Sequence, residues 1–257
     1  MTKKTVYPPW VILHLPHDAD RIPGEVRDQF ILNDEDLARE LLCMTDHRTA
    51  VLFGAVLASA VARAPVSRLV VDVERFEFDA EEPMAERGMG VVYSRTSAQA
   101  PLRRALAVAE RERLLEAYYR PHHLRLTRLV NDALADHGKA LVLDAHSFPS
   151  LPLPYERWKG RRPDICIGTD AFHTAAALRD VFVASFEKAG FDVAVDAPFA
   201  GALVPSRHYR ADPRVQAVMV EVNRRLYLDE ATGRPLSGFR GIADMVQRCC
   251  ARALDDL

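Results

Sequence analysis

Short runs rich in Val, Ile and Leu alternate with long stretches of helical periodicity along the 257 residues, and no other feature restricts the fold so strongly. A chain patterned in this way builds an α/β sheet with helices on both faces. The strand candidates are residues 10–16 (WVILHLP), 68–74 (RLVVDVE), 140–146 (ALVLDAH), 164–169 (DICIGT), 192–198 (DVAVDAP) and 217–222 (AVMVEV). Several are apolar at both parities, the pattern of strands buried on both faces.

Between the runs lie helical stretches. Residues 33–45 open on Asn33, an N-cap type followed by an acidic first turn. Residues 102–138 carry apolar side chains three and four apart, with Pro121 in the middle and Gly138 as a stop, which predicts two helices or one kinked helix. Residues 174–190 and 238–256 complete the set. Without an internal repeat or a break in composition to mark a linker, the expectation is a single α/β domain over residues 1–257, with a mixed central sheet.

Composition excludes several classes. Hydrophobic residues make up 49% and charged residues 27%, a balance that supports a packed core. A formal net charge of −2 argues against a nucleic-acid surface. The apolar runs are of strand length, so no membrane partner is expected. The opening MTKKTVYPPW has no apolar segment of a signal peptide, which makes a cytoplasmic location the default expectation. Cys43, Cys166, Cys249 and Cys250 contain no CxxC pair and read as reduced packing residues. The basic clusters KGRRPD (159–164) and NRRLY (223–227) are either solvated loops or a means of recognising a carboxylate.

Ligands of open α/β sheets bind beyond the carboxyl ends of the strands. His17, Glu74, Arg75, His146 and Glu221 all fall at such ends. His146, in VLDAHSFPS, admits three readings: a hydrogen-bonded strand-end histidine, a base beside Ser147, or a metal ligand. Ser147 lacks the GxSxG surroundings of a nucleophile elbow. His17 carries the same ambiguity, yet two imidazoles from separate strand ends can share one divalent metal. A catalytic zinc then needs a third protein ligand, and spacing does not choose between Asp20 and Asp46. Glu221 lies inside an apolar strand pattern, where a carboxylate is costly unless it is paired, with Arg224 or Arg225, or serves as a general base. His122, His123, His208 and Tyr209 read as packing residues.

The blocks ILHLPHDADRIP, MTDHRTAVLF, VVDVERF, LDAHSFPS and VMVEVNRRLYLDEATG, in this order over roughly residues 10 to 250, resemble the N-formylglutamate amidohydrolase family. The resemblance implies a fold of the zinc-exopeptidase (phosphorylase/hydrolase-like) type and a reaction that removes a formyl or related acyl group from an amino-acid nitrogen. It implies His17, Asp46 and His146 as ligands of one Zn2+ per chain, or of another divalent metal, with Asp20 as the alternative to Asp46. Glu221 takes the position of the general base, and Asp144 is a candidate to orient an imidazole. Arg75, with Arg95 and Arg224 as further candidates, is implied as the anchor of a small-molecule carboxylate substrate. Two departures bear on the substrate: the family commonly shows Asn-Arg where this chain has Glu74-Arg75, and a small residue where it has Asp18. Two other expectations compete: a related zinc deacylase or carboxypeptidase acting on another N-acyl amino acid or peptide, and a catalytically silent small-molecule binding protein on the same scaffold.

Overall fold

A computed structural model describes residues 7–158 and 160–255. Residues 1–6, on which the reading of the amino terminus rests, and Lys159 of the first basic cluster lie outside the described residues. Strand β1 is Val11–Leu15. Helix α1 follows at Asp34–Met44, and the Asn33 side chain accepts a hydrogen bond from the Asp36 amide as its N-cap. A short helix α2 (Thr49–Leu52) leads to strand β2 (Ala60–Arg63). Beyond a long loop come α3 (Val108–Leu114) and α4 (Arg120–His137), then β3 (Ala140–Phe148) and β4 (Ile165–Gly168). Helix α5 (Ala176–Lys188), strands β5 (Val193–Val195) and β6 (Val215–Asn223), and helix α6 (Phe239–Asp255) complete the frame.

The strand order is β2-β1-β3-β6-β4-β5. All pairs are parallel except β4 against β6, so the sheet is mixed, with helices on both faces as the sequence predicts. Side chains alternate across a strand. Val11, Leu13, Leu143 and Val220 thus pack with Phe182 and Phe186 of α5 and with Val246 of α6, while Ile12, Val142 and Ala217 pack beneath Leu126 and Val130 of α4. That second parity continues through His14 on β1, Asp144 and His146 on β3, and Glu221 on β6. The register sets His14 beside Asp144 and His146 beside Glu221. Polar groups therefore gather on one face, at the carboxyl ends of parallel strands.

Residues 68–74 do not form the expected strand. Their backbone turns back on itself, with Val70 N–H donating to Ser67 O at 2.9 Å and Arg75 N–H to Asp72 O at 3.3 Å. Leu69, Val70 and Val71 enter a separate cluster with Phe30, Met89 and Tyr93. A short apolar run signals burial but does not by itself distinguish a ladder from a buried turn. The edge strand is instead β2, an Ala-rich segment of low β-propensity that the sequence reading passed over.

Residues 102–107 also fall outside the expected helix, which begins at Val108. Pro121 neither ends nor splits it: a π-helical turn over Leu115–Tyr119 carries α3 directly into α4. The wider turn changes the hydrogen-bond register just where proline lacks a donor. Gly138, at φ 71°, closes α4 as expected. No helix among the described residues is long and apolar enough to cross a membrane.

Candidate active site

His17 lies just beyond β1, and Asp46 just beyond the C-cap of α1; the Asp46 amide donates to His17 O at 2.9 Å and ties the two loops together. His146 and Glu221 are register partners on the neighbouring strands β3 and β6. Asp72, Glu74 and Arg75 arrive on the turn that replaces the expected strand. His17, Asp46, Glu74, Arg75, His146 and Glu221 border one cleft of about 390 Å³, within the size range of small-molecule sites.

Each histidine turns Nε2 to carboxylates, His17 to Asp72 Oδ1 at 2.8 Å and His146 to Asp144 Oδ1 and Glu74 Oε1, both at 3.1 Å. With Nε2–H donated in this way, the Nδ1 atoms face Asp46 Oδ2 at 3.7 Å from His17 and 3.0 Å from His146. His17 Nδ1 is buried and has no hydrogen-bond partner. Two imidazole nitrogens, each backed by a carboxylate, and one carboxylate oxygen form a donor set that suits a catalytic divalent metal. His17, Asp46 and His146 fit such an ion on this observation.

Electrostatics sharpen the picture. Burial alone would raise the Asp46 carboxyl, but hydrogen bonds and positive charge from His146 and His17 hold it well below the usual range. Burial opposes the charging of His146, yet Glu74, Asp144 and Asp46 carry it well above an ordinary imidazole. Glu221 behaves oppositely: burial first, then the charges of Asp46 and Glu74, push it up to about 7, although His146 and Arg224 pull it down. Its Oε2 has no hydrogen-bond partner. Glu221 forms no ion pair with Arg224 or Arg225 among the described residues, and Arg225 instead pairs with Asp164 at 2.6 Å.

The arginines divide by what they hold. Arg224 is heavily engaged, with Nη2 donating to Asp46 Oδ1 at 3.0 Å, Nη1 to Cys43 O at 2.6 Å and Nε to Ser147 Oγ at 3.2 Å. Arg224 does border the cleft, as a substrate-binding candidate would, but these contacts also turn it to Asp46, which it orients, and to Ser147, which accepts its hydrogen bond. The expectation for Arg95 is corrected, because it is exposed, donates to Gln99 O at 2.8 Å and stands away from the cleft. Arg75 remains. Its buried Nε has no hydrogen-bond partner and lies 3.6 Å from Asp72, and the side chain borders the cleft. Arg68, which pairs with Asp72 at 2.9 Å, was missed.

Asp20 is exposed and borders a different cleft, so only Asp46 joins the two histidines. Asp18 pairs with Arg63 at 2.7 Å, outside the site. His208 packs against Asn131 at 2.9 Å. His14 was also missed, although a histidine inside VILHL gives the same signal that marked Glu221, a polar residue in a buried strand. Its Nδ1 meets Asp144 Oδ1 at 2.8 Å and its Nε2 meets His122 Nε2 at 2.9 Å.

His123 sits beside this network and donates to Val73 O at 2.9 Å. Burial, with His14 adding to it, pushes His123 down to about 4. The unfolded chain then binds the extra proton between the ordinary histidine value and that figure, so stability falls as pH falls through this window. At pH 5 this one group is expected to cost about 2 kcal/mol relative to pH 7. Urea unfolding at the two pH values should show a smaller loss in His123→Gln than in the wild type.

A family model described as N-formylglutamate amidohydrolase matches residues 10–228. The chain is 30% identical to the N-formylglutamate deformylase of Pseudomonas putida over 235 residues, which cover 86% of this chain and 82% of the relative. It is 29% identical to the N-formylglutamate deformylase of Pseudomonas aeruginosa over 234 residues, with the same coverage of 86% and 82%. Among solved structures, the N-formylglutamate amidohydrolase from Ralstonia eutropha JMP134 superposes with a TM-score of 0.81 at 23% identity, over 96% of this chain and 93% of that one. That likeness shows a shared fold.

Proposed function

Because the chain belongs to the N-formylglutamate amidohydrolase family, we propose that it hydrolyses the amide bond of an N-acyl amino acid of the N-formylglutamate type, releasing formate and the free amino acid. One observation carries the reading: His17 Nδ1, His146 Nδ1 and Asp46 Oδ2 converge beside an unpartnered Glu221 carboxylate in a single cleft. We read residues 1–257 as one domain of the zinc-exopeptidase type, with Zn2+ as the resident ion.

His17, Asp46 and His146 would hold the metal, which when bound supplies Lewis acidity toward a carbonyl oxygen and toward water. Asp72 and Asp144 fix the imidazole rings, and Arg224 fixes Asp46. Glu221 Oε2 accepts a proton from water as the water oxygen attacks the formyl carbon, and a carboxyl near pH 7 is well matched to that exchange. The same carboxyl returns the proton to the amide nitrogen as the C–N bond breaks. Atoms balance, since water is divided between the formate and the amine.

Arg75 binds the substrate carboxylate. Charge-assisted hydrogen bonds of this kind contribute about 1.5–3 kcal/mol. Arg75→Met is therefore expected to raise KM for N-formylglutamate by about 10- to 100-fold with a smaller change in kcat. An unchanged KM would remove Arg75 from the binding role.

Glu74 gives a second reading its support. A carboxylate beside Arg75 alters the charge the substrate meets, which favours another N-acyl amino acid. Formate and amine release measured on N-formyl-L-glutamate, N-acetyl-L-glutamate and N-formyl-L-alanine separates the two. Turnover of N-formylglutamate above the others supports the first reading, turnover confined to another acyl amino acid supports the second, and no turnover of any contradicts both.

A further inference from the structure

Glu74 faces two groups of metal-ligating side chains, and the proposed reaction places an ion in only one of them. Its Oε2 lies 3.7 Å from His17 Nδ1 in the first group. Its Oε1 lies 3.9 Å from His14 Nδ1 and 3.1 Å from His146 Nε2. His14, Glu74 and Asp144 form a second group, with His14 and Asp144 buried and Glu74 partly so, whose candidate ligand atoms all lie within 4.8 Å of one another. We infer that His14, Asp144 and Glu74 hold a second divalent cation next to the first, with the Glu74 carboxylate shared between the two sites.

Three further observations support the assignment. The first is charge. Asp46 and Asp72 each face a guanidinium, from Arg224 at 3.0 Å and Arg68 at 2.9 Å. Glu74 and Asp144 have only histidines within ion-pair distance among the described residues, although Asp144 is 1% exposed. Asp144, buried, and Glu74, partly buried, thus share imidazoles and no permanent cation, and one divalent ion would compensate this pair.

The second is support around the ligands. Asp144 Oδ2 accepts from the Leu203 amide at 2.9 Å, and His14 Nε2 reaches His122 Nε2 at 2.9 Å, so each ligand is held from behind. Such outer contacts set the orientation of metal ligands.

The third is access. Glu74 and Asp144 border a second cleft of about 540 Å³, which also includes Tyr119, His123 and Tyr209. Glu74, Arg75 and Met219 stand between this cleft and the first, bordering both. Two members of the second group, Glu74 and Asp144, thus border a chamber that the first group does not. One imidazole and two carboxylates form a donor set suited to Zn2+, Mn2+ or Co2+, and paired ions that share a carboxylate lie about 3.5–4 Å apart in hydrolases of this kind.

The inference rests on the metal-centre reading through Glu74, and stoichiometry separates the two. Protein stripped with a chelator is titrated with Zn2+ by calorimetry, and bound metal is counted by elemental analysis, for the wild type, His14→Ala and His17→Ala. His14→Gln, closer in size, serves alongside His14→Ala, with circular dichroism as the check on folding. The expected result is two equivalents in the wild type and one in each variant. One equivalent in the wild type, lost in His17→Ala, would overturn the second site and leave the first standing. Two equivalents that persist in both His14 variants would overturn it as well, by placing the second ion elsewhere. No uptake by the wild type would overturn both.

Discussion

Glu221→Gln is expected to lower kcat for N-formylglutamate by about 100- to 10,000-fold, the range typical of a lost general base. The amide fills the same space beside His146 but cannot accept the proton of the attacking water. Glu221 is not placed among the metal ligands, so metal content should be unchanged. Steady-state kinetics and elemental analysis on the same preparation test both halves. Retained kcat would remove Glu221 from the reaction, and loss of metal together with activity would recast it as a ligand.

The largest effect on stability is expected at Arg224. Arg224→Met leaves Asp46 buried with no guanidinium, and it leaves the Cys43 and Ser147 carbonyls without their donor. Breaking one side of a buried pair in this way costs about 3–5 kcal/mol. Part of the loss should be recovered in the double variant with Asp46→Asn, because the uncompensated charge is then gone. Urea unfolding of the two single variants and the double variant measures it. A loss below about 1 kcal/mol for Arg224→Met, within the range of exposed ion pairs, would contradict the clamp.

Much of this arrangement is legible in the sequence because strands buried on both faces announce themselves. β1, β3, β4 and β6 lie within or across the apolar runs that predict them, and His17, His146 and Glu221 stand out as polar residues at their ends. Residues 68–74 mislead for the same reason. Leu69, Val70 and Val71 are buried in a separate cluster rather than in the sheet, and burial is what an apolar run reports. β2 is hidden by the opposite problem, since Ala60–Arg63 has little β character and depends on pairing with β1.

The arginines were the least legible. Arg75, Arg95 and Arg224 are equal as residue types, and only contacts separate a cation bordering the cleft from one exposed on a loop and one turned to Asp46. Asp46 itself could not be told from Asp20 by spacing. The choice depends on how α1 returns to the end of β1, and it is the Asp46 backbone that bonds to His17. Asp72 acts through a ring that another residue supplies and has no local pattern of its own, whereas Asp144 was legible only as the acid two residues before His146.

The central claim is that His17, Asp46 and His146 form a metal centre. Metal content measured by elemental analysis on protein purified without added metal, for the wild type and His17→Ala side by side, tests it most directly. Divalent metal is expected in the wild type, with one equivalent less in the variant. A wild type that holds no metal and takes up no Zn2+ on titration would contradict it.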